Sequence, residues 1–450
     1  MRFSVTACFG QTDRDLWRLA LPMIFSNITV PLLGLVDTAV IGHLDSPVYL
    51  GGVAVGAMAT SFLFMLLLFL RMSTTGMAAQ AFGAQNPARL ARAFMQPLLL
   101  ALLAGLTILL LRHPLIDLAL NIVGGHDAVL QQARRFLEIR WLSAPAALAN
   151  MVILGWLLGV QYVRAPVLLL IVGNLLNIVL DLWLVMGLHW NVRGAAWATV
   201  TAEYATLLLG LWLVWRVMQR RGIGWPLLKQ GWRGDLRRLL TLNRDIMLRS
   251  LLLQLCFASL TIIGARLGNE TVAVNALLMN LLTFTAYALD GFAYAVEAHS
   301  GEAFGARNRE RLLRVWHAAC RQAGMVALAF AAAYALFGMQ IVHALTSLPA
   351  LQQLAQHYLS WQVVLPLAGV WCYLLDGMFV GATRGREMRN SMAVAAAGYG
   401  LTLLTLPWLG NHALWLALTV FLALRGAALG WLWHRHQQRG SWFTASTAAQ

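Results

Sequence analysis

Ala81-Phe-Gly-Ala-Gln-Asn-Pro-Ala-Arg-Leu-Ala-Arg92 and Ala303-Phe-Gly-Ala-Arg-Asn-Arg-Glu-Arg-Leu-Leu-Arg314 are one segment written twice. Eight of the twelve positions are identical, at a constant offset of 222 residues. The register continues upstream without a gap, pairing Ile41-Gly42 with Ile263-Gly264, Ala54 with Ala276 and Phe62 with Phe284. A gap-free match over that distance identifies an internal duplication, and the chain reads as two related halves. In each copy an asparagine, Asn86 or Asn308, is placed to cap the helix that follows, and Pro87 occupies the first turn of one of them.

Outward from these loops the chain is a succession of long apolar stretches. Of its 450 residues 60% are hydrophobic and 11% charged, whereas soluble domains carry about 25% charged residues. That composition excludes a lone soluble domain, and it excludes disorder equally. A hydrocarbon core of about 30 Å takes about 20 apolar residues to cross in helix. Twelve stretches satisfy this, at about 16–41, 50–77, 91–111, 136–160, 166–187, 194–215, 246–265, 271–298, 315–342, 357–382, 390–409 and 412–434. The expected fold is an all-α polytopic membrane protein with twelve transmembrane helices. Both copies of the repeated loop follow an even-numbered stretch, so the two six-helix lobes share one orientation, related by an axis along the membrane normal. The expected organisation is a first lobe over 1–215, an amphipathic cytoplasmic linker over 216–245, and a second lobe with a short cytoplasmic tail over 246–450. Within the linker, 229–243 sets Trp232, Leu236, Leu239 and Leu240 near one face with Arg233, Arg237 and Arg238 beside it, the pattern of a helix lying on a membrane surface.

The formal net charge is +15, which in a soluble protein points to nucleic acid. Here position decides its meaning. With a cytoplasmic N-terminus, 24 of the 33 basic residues fall on the inside, and only Arg112, Arg134, Arg135, Arg193 and Arg266 fall outside. That asymmetry follows the positive-inside rule, puts both termini in the cytoplasm, and assigns the excess charge to anionic lipid heads, with no nucleic-acid partner. Residues 1–15 lack the apolar core and cleavage site of a removable signal peptide. Cys8, Cys256, Cys320 and Cys372 form no C-x-x-C pair. The single lysine, Lys229, follows Trp225-Pro-Leu-Leu and belongs to no phosphate-binding loop, and no H-E-x-x-H occurs. An enzyme, a metal site and a cofactor are therefore not expected.

Function is sought where the membrane should be dry. A carboxylate near the bilayer centre costs about 2.5–3.5 kcal/mol on insertion scales, yet Asp37, Glu138, Asp181, Glu203, Asp290, Glu297 and Asp376 lie in or at the ends of apolar stretches. Asn174, Asn177 and Asp181 stand at i, i+3 and i+7, one polar stripe that cannot face lipid. Thr199, Glu203 and Thr206 form a second stripe, and Ser26 and Asp37 share a face of the first stretch. Three stripes can meet in one pocket, or serve only as interhelical hydrogen bonds worth about 0.6–2 kcal/mol. For Asp37 and Asp181 the functional reading is preferred, because amides supply hydrogen bonds without the desolvation of a carboxylate. Two facing carboxylates share a proton readily; with amide and hydroxyl oxygens added they equally suit a monovalent cation, which leaves H⁺ and Na⁺ both open. The second half carries Asp290, Tyr294 and Glu297 in a stripe, for which a solvated vestibule is preferred, and Asp376, for which Gln254 and Arg249 are candidate partners. Pro22 and Pro31 interrupt the first stretch, as a static kink or as a bend that responds to Asp37.

Five runs together resemble the multidrug and toxic compound extrusion (MATE) antiporters, in their DinF branch, over essentially the whole chain. They are Leu32-Leu-Gly-Leu-Val-Asp37-Thr-Ala-Val-Ile-Gly42-His-Leu, Asn174-Leu-Leu-Asn-Ile-Val-Leu-Asp181, the doubled Ala-Phe-Gly-Ala loop, Leu289-Asp-Gly-Phe-Ala-Tyr-Ala-Val-Glu297, and Tyr373-Leu-Leu-Asp-Gly-Met-Phe-Val-Gly-Ala-Thr383. The resemblance implies two lobes in a V-shaped arrangement around a central cavity, and alternating access. It also implies efflux of amphipathic organic compounds against inward H⁺ or Na⁺ flow, by a monomer in the bacterial inner membrane. Asp37, Asn177, Asp181 and Thr199 match the family's proton- or cation-binding cluster, and Pro22 matches the proline at which its first helix bends. One departure stands out: where some branches place a glutamate on the seventh helix, this chain has Gln254, so a second-lobe site of Asp290, Glu297, Asp376 and Gln254 is incomplete as a copy. The rival reading is a flippase for a lipid-linked sugar, of the same superfamily, whose cavity should be basic.

Overall fold

Polypeptide buried in hydrocarbon must satisfy its own backbone hydrogen bonds, and this chain does so with helices; among the described residues there is no strand. The computed structural model describes residues 10–42, 44, 46–125, 127–234 and 236–443, without the side chains of 30–39. In chain order the helices are α1 Gln11–Gly42, α2 Pro47–Gly83, α3 Pro87–Leu110, α4 Arg112–Val123, α5 Asp127–Gly159, α6 Arg164–Gly187 and α7 Val192–Arg220. There follow α8 Trp225–Gly231, α9 Arg237–Leu267, α10 Asn269–Gly305, α11 Arg309–Leu345, α12 Pro349–Gly381, α13 Gly385–Leu409 and α14 Asn411–Arg439. Each of the twelve apolar stretches lies in its own long helix, and eleven of these, all but α1, are long and apolar enough among the described residues to cross a membrane. The helices outrun the apolar stretches because their polar ends stay wound: α10 continues through the Ala303-Phe-Gly segment.

The linker departs from expectation. No continuous surface helix forms over 229–243; α8 stops at Gly231, Gly234 adopts φ +134°, and α9 starts at Arg237. A backbone in that region suits glycine, so the chain turns at Gly234 and the residues expected on one helix are divided between two.

Two compact units result, one of Phe25–Leu239 and one of Met1–Ile24 with Leu240–Gln450. The second therefore includes the first turns of α1. Asp13 is buried there, accepting hydrogen bonds from Arg321 and Gln322 at 3.2 Å each, while Trp17 donates to the Gln322 Oε1 at 2.8 Å. The Trp17 ring meets Phe292 edge-on, with centroids 4.8 Å apart.

The duplication reaches atomic detail. A methyl group on Gly155 of α5 would stand 2.6 Å from the Arg71 carbonyl oxygen, and one on Gly159 would stand 2.9 Å from that of Thr75. In the second unit Gly377 of α12 is held in the same way, 2.8 Å from the Ala293 oxygen, and Gly381 is 2.9 Å from that of Glu297. All four pairs of corresponding residues obey the 222-residue offset read from the loops. The loops agree too: Asn86 Oδ1 accepts from the Arg89 amide at 3.2 Å, Asn308 Oδ1 accepts from that of Arg311 at 3.1 Å, and Gln85 and Arg307 both adopt φ +52°.

Candidate functional site

The first unit contains a cavity of about 350 Å³ whose polar lining comes from three helices, Arg140 and Asn150 of α5, Asn174 and Asn177 of α6, and Thr199, Glu203 and Thr206 of α7, with Phe64 of α2 beside them. Helix α6 supplies the clearest case of sequence dictating placement. Leu168, Ile171, Leu175, Val179 and Leu182 are exposed and form its outer apolar face, so the Asn174, Asn177 and Asp181 stripe turns inward. Asn177 is 4% and Asp181 1% exposed. Gly173 makes the approach of α7 possible, since a methyl group there would stand 2.8 Å from Thr206 Oγ1.

Across that approach the Asn177 Nδ2 donates to Thr199 Oγ1 at 3.5 Å, and Asn174 Nδ2 donates to Thr29 Oγ1 at 3.4 Å. Asn177 Oδ1 is buried with no hydrogen-bond partner among the described residues. Asp181 lies one turn further along α6, at the point where the helix widens to a π-helix over Leu182–Gly187. π segments are frequent at functional sites, and their wider turn re-aims the side chains beside them. Of the expected cluster, Asn177 and Thr199 are thus in contact and Asp181 is on the same face of α6. Asp37 lies on α1, and its side chain is outside the described residues. Pro22 sits inside α1, which is continuous helix from Gln11 to Gly42.

Arg140 and Asn150 enter this wall without having been singled out in the sequence as site residues. Arg140 Nη2 donates to Glu203 Oε1 at 3.0 Å, its guanidinium lies 5.4 Å from the Phe64 ring centre, and it also binds Ser143 Oγ. Asn150 Nδ2 donates to the Glu203 carbonyl at 3.1 Å. An arginine alone in an apolar stretch signals a carboxylate somewhere opposite, but that signal does not say on which helix.

In the second unit Asp376 is buried between two arginines. Arg249 Nη2 donates to its Oδ2 at 2.6 Å, and Arg425 Nη2 donates to the same oxygen. Arg249 is the partner expected from sequence; Arg425, from α14, is an addition. Asp290 is half-buried on α10, Glu297 is buried two stripe positions further on, and Gln254 is half-buried on α9. Two guanidinium groups on one carboxylate give a cluster of net positive charge.

A family model described as MatE matches the chain twice, over residues 22–183 and 246–408. DNA damage-inducible protein F of Escherichia coli (strain K12) is 73% identical over 446 residues, spanning 99% of this chain and 97% of that one. A probable multidrug resistance protein NorM of Bradyrhizobium diazoefficiens is 26% identical over 90% of this chain and 89% of its own length. The crystal structure of a MATE in the bent conformation aligns with a TM-score of 0.84 at 22% identity, covering 99% of each chain, a likeness of fold.

Proposed function

The chain belongs to the MatE family of membrane transporters, and from that premise we propose that it exports amphipathic organic compounds by alternating access, driven by inward H⁺ or Na⁺ movement. The observation that carries this reading is the polar wall of the first unit, where the buried Asn177 meets Thr199 at 3.5 Å within a turn of Asp181. In it Asp37 and Asp181 are the exchangeable charges, and the spare Asn177 oxygen and the Thr199 hydroxyl are neutral ligands for a cation or for a protonated acid. Pro22 is the bend point through which occupancy of that cluster reaches α1. The second-unit acids take a lesser part in this scheme. The charge of Asp376 is already matched by Arg249 and Arg425, which leaves no net negative charge in that cluster to attract a cation. Asp290, Glu297 and Gln254 are assigned to positioning.

The relatives' names support the substrate class: one is a probable multidrug resistance protein. The positive-inside asymmetry supports a bacterial inner-membrane protein with both termini in the cytoplasm, acting as a monomer in contact with lipid. The flippase reading needs a basic cavity, whereas the one arginine of this wall is paired with Glu203. One charge moving down 100 mV supplies about 2.3 kcal/mol, enough for a gradient of about 50-fold in a neutral substrate at one-to-one coupling.

The deciding experiment is dye efflux from proteoliposomes with the pH and Na⁺ gradients imposed separately. Wild-type protein is expected to respond to one of the two, and Asp37→Asn and Asp181→Asn to lose that response. Wild-type, gradient-driven efflux in both variants would remove the cluster from the mechanism, and flipping of a labelled lipid-linked sugar by the purified protein would install the rival.

A further inference from the structure

A second cavity, of about 400 Å³, lies in the first unit where α8 crosses the start of α3; it is lined by Ala88, Arg92, Leu227, Gln230, Gly231, Arg233 and Gly234. Among the described residues the lining holds two arginines and no carboxylate. Arg92 and Gln96, one turn apart on α3, both point to its Gly234 side: a methyl group on Gly234 would meet the Arg92 guanidinium at 3.1 Å and Gln96 Nε2 at 3.5 Å. Arg92 Nε and Gln96 Nε2 are buried with no hydrogen-bond partner among the described residues, and Gln96 is only 2% exposed. Unpaired buried donors are costly, about 1–3 kcal/mol each and more for charged groups, so donors in this state mark a place suited to an acceptor.

We propose that this cavity binds an anionic phosphoryl group, with the Arg92 and Arg233 guanidinium groups and the Gln96 amide as its donors. Arginine forks match phosphate oxygens in geometry and in charge. The surroundings favour a phospholipid headgroup as the source over free phosphate. Trp225 and Trp232, seven residues apart, are exposed at the two ends of α8, with Lys229 Nζ 5.9 Å from the Trp225 ring centre and the Arg233 guanidinium 5.2 Å from that of Trp232. Exposed tryptophans interleaved with basic residues sit at headgroup depth in membrane proteins. The proposal concerns residues remote from the coupling cluster and stands whether or not the chain proves to be an ion-driven exporter.

The test is native mass spectrometry of the purified full-length protein in detergent, titrated with phosphatidylglycerol, with diacylglycerol as the headgroup-free control, and with inorganic phosphate as competitor. Retention of phosphatidylglycerol over diacylglycerol is expected, weakened about tenfold or more by Arg92→Gln. Gln230→Glu, which adds a carboxylate at the exposed rim, is expected to do the same without lowering the melting temperature of the lipid-free protein. Displacement of the lipid by millimolar inorganic phosphate assigns the site to free phosphate, and persistence of the lipid assigns it to the headgroup; each supports a phosphoryl site. Equal binding of diacylglycerol, or phosphatidylglycerol affinity unchanged in both variants, overturns the proposal.

Discussion

Asp376, buried, and Glu203, half-buried, are each met by arginine from other helices, two in the first case and one in the second. Removing one member of a buried pair leaves the other charge unmatched, which typically costs about 3–5 kcal/mol, more than the pair contributes when intact. Asp376→Ala is therefore expected to lower the melting temperature of the purified protein sharply, because it strands Arg249 and Arg425 together. Arg140→Gln and Glu203→Gln should each destabilise on their own and should couple in a double-mutant cycle, measured by denaturant unfolding in detergent, with the double variant more stable than the sum of the singles predicts. The sequence made the acids legible, and made Arg140 and Arg425 visible as charges inside apolar stretches. Spacing along one helix tells which residues share a face, as it did for Asn174, Asn177 and Asp181. It does not tell which face of which other helix lies opposite, and so the Arg425 and Arg140 pairings were out of reach, while Arg249 was reached only as a candidate.

Helices rather than residues carry the repeat. The Gly155 and Gly159 pair on α5 and the Gly377 and Gly381 pair on α12 let two helix backbones touch at equivalent points, where any side chain must displace a carbonyl. Gly155→Ala and Gly377→Ala are expected to cost about 1–3 kcal/mol each by overpacking, to similar extents, as read by thermal unfolding; a large difference between them would show that the two contacts are alike in geometry only. The chemistry, by contrast, is not repeated. The α-helical turns of α6 and of α13 that precede their irregular ends are both 18 residues long, yet one run ends in Asp181 and the other in Thr402. Duplication thus explains how the fold was legible from two short loops, but the stripe of Asn174, Asn177 and Asp181 is not repeated at the 222-residue offset, where Ala396, Tyr399 and Leu403 stand. Where the repeat has no counterpart, in the linker, the reading failed: hydrophobic spacing over 229–243 fitted one helix, and the conformation of Gly234 divided it.

For the molecule as a whole, the assignment of α1 matters most. Its first turns are fastened to the second unit through Asp13, Trp17, Arg321 and Gln322, whereas Thr29 engages Asn174 in the first. Asp13→Ala removes the acceptor of the side-chain hydrogen bonds from Arg321 and Gln322. Amide exchange over 11–24 is expected to quicken about tenfold or more, with little change at 25–29; unchanged exchange over 11–24 would mean that packing of Trp17 on Phe292 suffices. Composition and the repeated loop located both halves of the chain; contact along the fold adds that the start of α1, up to Ile24, groups with Leu240–Gln450.

The ancestry of the chain and its present architecture are consequently cut along different lines. A duplicated gene implies a seam in the linker, and anyone separating the halves for co-expression or for circular permutation would choose that seam. A fragment starting at Leu240 would then expose Phe292, Arg321 and Gln322, the surface that Asp13 and Trp17 cover in the intact chain. A complementation pair that reconstitutes the protein should instead share the opening residues, with a copy of 1–24 supplied to the carboxy-terminal fragment.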